Sequence, residues 1–266
     1  MHERERWQMI VSAVQERPVV SVRDLVERIG VSPATLRRDL TKLAGLGRIR
    51  RIHGGIEAVQ GATRPHLTAL SFEAGQTLNV DAKRVIAGAA AALCEDGESI
   101  IINGGTTTYQ MADFLIGRRL EILTNSFPIA QTLAMASDNR ISIPGGEIFR
   151  EQGLMLSPFD ADATQHFTAS KIFISCYSVS ARGIIESDPL VARAVSKLLD
   201  RADRLIVLAD SSKFEAGGSM VICPLSRVDT LITDSAIEPA AAEMVRSAGI
   251  NLVIADADHA LVSSAA

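Results

Sequence analysis

The sequence predicts an α/β protein in two parts: a small winged helix-turn-helix head and a larger body built on a mainly parallel sheet. Three observations carry this. Residues 1–57 hold three stretches with helical apolar spacing, followed by an alternating segment with paired glycines. From Asp81 onward, short β-branched runs alternate with helical stretches. The charge divides the same way: 11 Lys/Arg against 7 Asp/Glu in residues 1–57, and 16 against 24 in the remainder.

In the head, Trp7, Ile10, Val11 and Val14 recur at helical spacing until Arg17-Pro18. Val19-Val20 reads as extended. Ser21, with Asp24 three residues on, caps a second helix whose apolar stripe is Val22, Leu25, Val26 and Ile29, closed by Gly30. Ser32 caps a third helix with Pro33 at its first position, where the missing N–H costs nothing. Leu36, Leu40 and Leu43 stack on one side of it. Ala34, Arg38 and Thr41 lie opposite, flanked by Thr35, Arg37 and Lys42. The segment Arg48-Ile49-Arg50-Arg51-Ile52-His53-Gly54-Gly55 predicts a two-stranded wing.

A helix, a tight turn and a second helix with a basic outer face form the pattern that enters the major groove of DNA. Between Ser32 and Arg51 there are six basic residues and one acid, Asp39. Arg grips phosphate or forks onto guanine, and Ser or Thr reaches a phosphate or base edge. The candidate DNA-binding residues are therefore Ser32, Ala34, Thr35, Arg37, Arg38, Thr41, Lys42, Arg48, Arg50, Arg51 and His53. Asp39, three residues before Lys42, is expected to orient that lysine rather than touch DNA. An ordinary amphipathic surface helix shows the same stripe; the turn and the basic wing favour the DNA reading.

In the body, candidate strands are Ser99–Ile102, Glu121–Thr124, Arg140–Ile143, Lys171–Ser175, Leu205–Ala209, Thr230–Thr233 and Asn251–Ile254. Helices fit over 82–94, 106–116, 127–136, 189–201 and 237–248. Continuous apolar strands separated by helices imply a sheet covered on both faces. Open sheets of this kind bind ligands at the carboxyl ends of their strands. The motifs that follow strands directly are Asn103-Gly104-Gly105-Thr106-Thr107, Thr124-Asn125-Ser126, Gly145-Gly146 and Asp210-Ser211-Ser212-Lys213. Glycines permit close backbone approach, hydroxyls suit an anion, and Lys213 with Asp210 suits a phosphorylated, hydroxylated ligand. Each motif has a plainer reading: the glycine pairs as turns, Ser126 as a cap before Pro128, and Asp210, Asp234 and Asp256 as strand-end caps.

Composition narrows the alternatives. With 47% hydrophobic and 22% charged residues the chain reads as globular, and its longest apolar run, Val85–Leu93, is too short to span a bilayer. The start, MHERERWQ, has no secretory character. Cys94, Cys176 and Cys223 lack CxxC spacing, which suits free buried thiols in a reducing cytoplasm. The five histidines (His2, His53, His66, His166 and His259) show no metal-ligand spacing, and no nucleotide or hydrolase fingerprint is present, so neither metal nor cofactor is expected.

The run VSPATLRRDLTKLAGLGRIRRIHGG closely resembles the N-terminal signature of the DeoR family of bacterial regulators. Lys83 with Ile86-Ala87, NGGTTTYQMADFL, ILTNSFPIA, IPGGE, LADSSKF and LITD continue the resemblance in family order over about 220 residues. The resemblance implies a repressor of a sugar-catabolic operon, a phosphorylated metabolite as effector, and a sensor similar to the ribose-5-phosphate isomerase fold. Ser32-Pro33-Ala34-Thr35, Arg64-Pro65, Leu156-Ser157-Pro158 and the serine-containing 175–180 segment are most similar to repressors of ascorbate utilisation. Two departures stand out: Asn103 replaces an aspartate common in the family, and Ile174-Ser175-Cys176-Tyr177-Ser178 lacks the usual glycines.

The expected organisation is a DNA-binding domain over 1–57, a linker over 58–78, an effector-sensing α/β domain over 79–258 and a tail over 259–266. The expected effector residues are Asn103, Gly104, Gly105, Thr106, Thr107, Thr124, Asn125, Ser126, Gly145, Gly146, Asp210, Ser212 and Lys213. Expected partners are double-stranded operator DNA, a phosphorylated sugar or sugar acid, and a second copy in a dimer or tetramer; no membrane is expected. The competing reading is a sugar-phosphate isomerase-like enzyme with an attached DNA-binding module. An isomerase needs a carboxylate base over the sugar, and residues 174–178 contain no acid, so no catalytic residue is expected.

Overall fold

The computed structural model describes residues 6, 7, 9, 10, 13, 19–45, 49–52, 55–57, 71–157, 162–214 and 217–256. The chain divides into two compact units, Met1–Thr68 and Ala69–Ala266.

In the first unit, strand β1 (Val19–Ser21) leads into helix α1 (Val22–Ile29) and helix α2 (Pro33–Gly45), followed by strands β2 (Arg50–Ile52) and β3 (Gly55–Glu57). The Ser21 hydroxyl accepts the Asp24 N–H at 3.1 Å, and Gly30, at φ 71°, closes α1. The wing is three-stranded, because β1 pairs antiparallel with β3 and β3 with β2. Gly55 permits this: a Cβ there would stand 2.5 Å from the Val20 carbonyl oxygen. Ile10, Val20, Leu25, Leu36, Leu40, Leu43, Ile49 and Ile56 close one core that draws on β1, α1, α2 and β3. Each such side chain removed from water contributes about 1.5–3 kcal/mol.

The second unit is built on seven strands: β4 (Ser99–Ile102), β5 (Glu121–Thr124), β6 (Arg140–Ser142), β9 (Ala169–Ser175), β12 (Ala202–Leu208), β14 (Thr230–Asp234) and β15 (Asn251–Ala255). Their order is β15-β14-β12-β9-β4-β5-β6, and every pairing is parallel. Alternate residues serve opposite cores. Ile101, Leu123, Ile172, Ile174, Leu205, Val207 and Leu231 face helices Pro189–Leu199 and Pro239–Ser247. Ile100, Ile102, Ile122, Phe173, Ile206, Leu208 and Ile232 face helices Val80–Ala91, Met111–Leu115 and Phe127–Ala136. Two covered faces explain why these strands read as unbroken apolar runs.

The structure adds elements that the sequence pattern does not announce. Strands β7 (Glu147–Phe149) and β8 (Leu154–Leu156) form a hairpin, while β10 (Ser178–Ser180), β11 (Gly183–Glu186) and β13 (Met220–Cys223) form a small antiparallel sheet. No helix separates β7 from β8 or β10 from β11, so the alternation of strand and helix that marks the sheet strands is missing there. The helix predicted over 106–116 is interrupted at Gln110, whose N–H turns to the Thr107 carbonyl in a tighter pattern. The linker predicted over 58–78 is shorter at its far end. Ser71–Leu78 belongs to the second unit, with Phe72 meeting Tyr109 edge to face at 5.5 Å; residues 58–70 lie outside the described residues.

Candidate functional site

The outer face of α2 is the first candidate site. Its inner side is anchored by buried Leu36, Leu40 and Leu43, which turns Ala34, Arg37, Arg38, Thr41 and Lys42 outward to exposed positions, with Thr35 half-buried. Ser32 is exposed at the helix start, where its hydroxyl accepts the Thr35 N–H at 3.2 Å and stands 2.9 Å from the Thr35 hydroxyl. Arg50 and Arg51 are exposed on the wing, whereas Arg48 and His53 lie outside the described residues. Thr41 has an internal role that its spacing conceals. Its hydroxyl donates to the Arg37 carbonyl at 2.8 Å and accepts from Arg51 at 3.1 Å, so it ties the wing to the helix.

Asp39 requires a correction. It is buried, and its principal partners come from the start of the chain rather than from Lys42. Arg6 donates Nε to Oδ2 at 2.8 Å, and the Trp7 indole donates to Oδ1 at 3.1 Å. Burial works to raise the Asp39 carboxyl, but the Arg6 and Trp7 hydrogen bonds and the Arg6 and Lys42 charges hold it below the ordinary carboxylate value. Lys42 instead lies 5.9 Å from the Trp7 ring centre.

The carboxyl edge of the seven-stranded sheet is the second candidate site. Asn103 follows β4, Asn125 follows β5, Asp210 lies two residues beyond β12, and Thr233 is the last residue of β14 but one, beside Asp234. All four are at least 97% buried, and each carries a polar side-chain atom with no hydrogen-bond partner among the described residues: Asn103 Oδ1, Asn125 Nδ2, Asp210 Oδ2 and Thr233 Oγ1. Their other atoms are engaged. Asn125 Oδ1 accepts the Gly104 N–H at 2.8 Å, Asn103 Nδ2 donates to the Gly104 carbonyl at 3.1 Å, and Asp210 Oδ1 accepts from Asn79 Nδ2 at 3.0 Å and from Ser212. The two glycines sit at close approaches. A Cβ on Gly104 would stand 2.1 Å from Leu154, and one on Gly105 would stand 1.7 Å from the Ser175 hydroxyl.

The remaining predicted positions separate into two groups. Thr106 and Lys213 are half-buried and Ser212 is exposed beside this row, while Thr107 is buried. Thr124 and Ser126 are taken up locally: Thr124 accepts the Ser126 N–H at 3.0 Å, and Ser126 caps the next helix through Ile129 at 3.3 Å. Gly145 and Gly146, at φ 78° and 114°, turn the chain into the β7–β8 hairpin; a Cβ on Gly146 would stand 2.3 Å from the Leu156 carbonyl oxygen. Asp234 accepts the Ser211 and Ala236 N–H groups at 2.7 and 3.1 Å, which makes it a strand-end cap.

Three further charged or polar residues join this edge that were not among the expected effector residues. Lys83, buried in its helix, donates to the Gly75 carbonyl at 2.6 Å. Burial pulls its ammonium below the ordinary lysine value, Asp210 opposes this and Lys213 adds to it. Glu186 on β11 is buried and accepts the Ser187 N–H at 2.8 Å. Burial raises its carboxyl, against the hydrogen bonds from Ser187 and the charge of Lys213. Asn79 bridges Asp210 and Ser212. The Lys213 ammonium makes no hydrogen bond or ion pair among the described residues, although it feels Glu186, Lys83 and Cys176 electrostatically. The Cys176 thiol is pushed by burial up to about 12, which leaves it protonated and inert. Cys94 and Cys223 are likewise raised by burial, to about 12 and about 11.

Two clefts flank this row. One of about 900 Å³ is lined by Asn79, Asp81, Ser180, Ser212 and Asp234 among others; the other, of about 320 Å³, is lined by Asn125, Pro144, Met155, Arg193 and Lys197 among others. No group of His, Cys, Asp or Glu among the described residues could hold a metal ion, and no helix among them is long and apolar enough to cross a membrane.

The sequence matches the DeoR-like helix-turn-helix domain over residues 6–61 and the DeoR C terminal sensor domain over residues 78–235. It is 32% identical over 253 residues to the HTH-type transcriptional regulator UlaR of Shigella dysenteriae serotype 1, spanning 95% of this chain and 99% of that protein. The same identity and coverage hold for UlaR of Escherichia coli O1:K1 / APEC. Among solved structures, ribose 5-phosphate isomerase A from Methanocaldococcus jannaschii is similar with a TM-score of 0.38 and 17% identity, covering 51% of this chain and 55% of that one. The delta subunit of eIF2B from Chaetomium thermophilum is similar with a TM-score of 0.37 and 17% identity, covering 51% and 49%.

Proposed function

The chain belongs to the DeoR family of helix-turn-helix transcriptional regulators, and from that membership we propose that it represses a carbohydrate-utilisation operon until a phosphorylated sugar acid, or its lactone, occupies the carboxyl edge of the sensor sheet. Relatives spanning nearly the whole chain are named as transcriptional regulators, in keeping with a regulator and against the isomerase-like alternative. The exposed α2 face with Arg37, Arg38 and Lys42, beside Arg50 and Arg51 of the wing, is the surface that meets operator DNA. One recognition helix reads too few base pairs for high specificity, so the working form is a dimer or tetramer on paired half-sites.

The observation that carries the effector reading is the row of unpartnered buried atoms on Asn103, Asn125, Asp210 and Thr233, at the ends of four strands. Buried polar groups are rarely left unpaired. A ligand with several hydroxyls would satisfy these donors and acceptors, and the uncommitted Lys213 ammonium would receive its phosphate. The segments similar to ascorbate-utilisation repressors favour an acid or lactone over a plain aldose. A thermal-shift comparison of the full chain with ascorbate 6-phosphate, ribose 5-phosphate and a polyol phosphate tests this, since binding to the native state raises Tm. We expect the largest rise with the first; no rise with any of the three would overturn the effector reading.

A further inference from the structure

Ser71–Asn79 is the first continuous described stretch after the boundary between the two units, and its contacts gather at the effector edge. Phe72 packs edge-on against Tyr109, in the short helix that begins at Thr106. Gly75 lies so close to Thr106 that a Cβ would stand 3.0 Å from the threonine methyl, and its carbonyl accepts the Lys83 ammonium. Asn79 donates to Asp210 Oδ1 at 3.0 Å and to the Ser212 hydroxyl at 3.3 Å. It also holds φ 50°, the one positive φ at a non-glycine position among the described residues. Asparagine tolerates that conformation better than most side chains.

We propose that Asn79 and Lys83 are positioning residues that pin Ser71–Leu78 to the effector edge, and that occupation of the edge releases this strap. The inference rests on the effector reading above, because Thr106, Asp210 and Ser212 are the residues shared by strap and ligand. A sugar hydroxyl taking Asp210 Oδ1 or Ser212 displaces the Asn79 amide. A phosphate beside Lys83 draws its ammonium from the Gly75 carbonyl. Strap and ligand thus exclude one another, and the chain N-terminal to the strap leads directly into the DNA-binding unit. A ligand shifts an equilibrium only by its differential affinity for the two states. Here the bonds exchanged are named.

The test uses Asn79→Gly in the full-length protein, since glycine adopts the same positive φ without strain while losing the side chain that carries the amide. Without any ligand, amide hydrogen exchange across residues 71–79 should accelerate at least tenfold, and operator affinity in a fluorescence anisotropy titration should fall at least threefold. With ascorbate 6-phosphate as the probe, its affinity should rise at least threefold by reciprocity. Lys83→Met should move operator affinity in the same direction. Unchanged ligand-free operator affinity in both variants would overturn the coupling. Failure of the parent protein to bind any sugar phosphate would overturn the effector reading instead, and the ligand-free measurement would still judge the strap.

Discussion

Two buried aspartates separate the roles of the two units. Asp39 in the DNA-binding unit has both carboxylate oxygens engaged, by Arg6 and by Trp7. Asp210 in the sensor has one oxygen held by Asn79 and Ser212 while the other has no partner among the described residues. A fully paired buried charge fixes a structure and is costly to break, because removing one partner strands the other. A half-paired one keeps an acceptor available. On the proposed effector reading, Asp39 holds one arrangement while Asp210 has a bond to exchange.

The largest expected effect follows from the closed pair. Asp39→Ala removes the buried carboxylate that both Arg6 and Trp7 bond and should destabilise the DNA-binding unit by about 3 kcal/mol, read as a lower urea midpoint for the Trp7 fluorescence transition. The same pair predicts a pH dependence. The folded Asp39 value lies below the unfolded one, so its stabilisation is present above the unfolded value, about 3.9, and is lost as pH falls through the lower folded value. Asp39→Ala should flatten that acid limb; an unchanged limb would remove Asp39 as its source.

Arg38→Ala is expected next, with operator affinity reduced by about 1–3 kcal/mol if the side chain reads a base. A gel-shift titration showing no change would remove Arg38 from the reading face. In the sensor, Lys213→Met should leave operator binding intact while raising at least tenfold the ascorbate 6-phosphate concentration needed for release. Release at the parent concentration would reject its phosphate role. Asp210→Asn sharpens the contrast with Asp39: asparagine can still accept from Asn79 and Ser212, so we expect a stability change under about 1 kcal/mol. A loss as large as that of Asp39→Ala would show Asp210 to be structural as well.

The smallest effect concerns Glu186. Its folded value is raised by burial, so the folded state holds the proton more tightly than the unfolded chain. Its contribution to stability therefore declines as pH rises from the unfolded value toward the folded one. Glu186→Gln should remove that decline from urea midpoints collected between pH 4 and 7.

Much of this architecture was legible because burial on two faces leaves a plain trace. All seven predicted strands join the one parallel sheet, Ser21 and Gly30 cap where their chemistry indicates, and Ser126 takes the capping role that was the plainer of its two readings. Gly104, Gly105 and Asp210 were legible for the related reason that each closely follows such a strand. Asn79, Glu186 and the place of Lys83 at this edge were not, because folding rather than a strand-end motif brings them in: Asn79 reaches Asp210 across 131 residues. Asp39 was misread by the same limit. A local i,i+3 partner was visible in the sequence, while the decisive one lies 33 residues away.

The order of strands in the parallel sheet also sets a timetable. β4 cannot pair on its inner side until β9 exists, since Ile101 registers with Ile172, and β9 in turn waits for β12. The DNA-binding unit lies within Met1–Thr68. During synthesis at roughly 5–20 residues per second, the operator-reading helix is complete on the order of ten seconds before β15 emerges. A chain that stops after β6 would carry a finished reading head and no complete surface on which a metabolite could countermand it. Premature termination there also removes Asp210 and Ser212, to which Asn79 bonds, so such a chain should bind operator more weakly and without response to the metabolite.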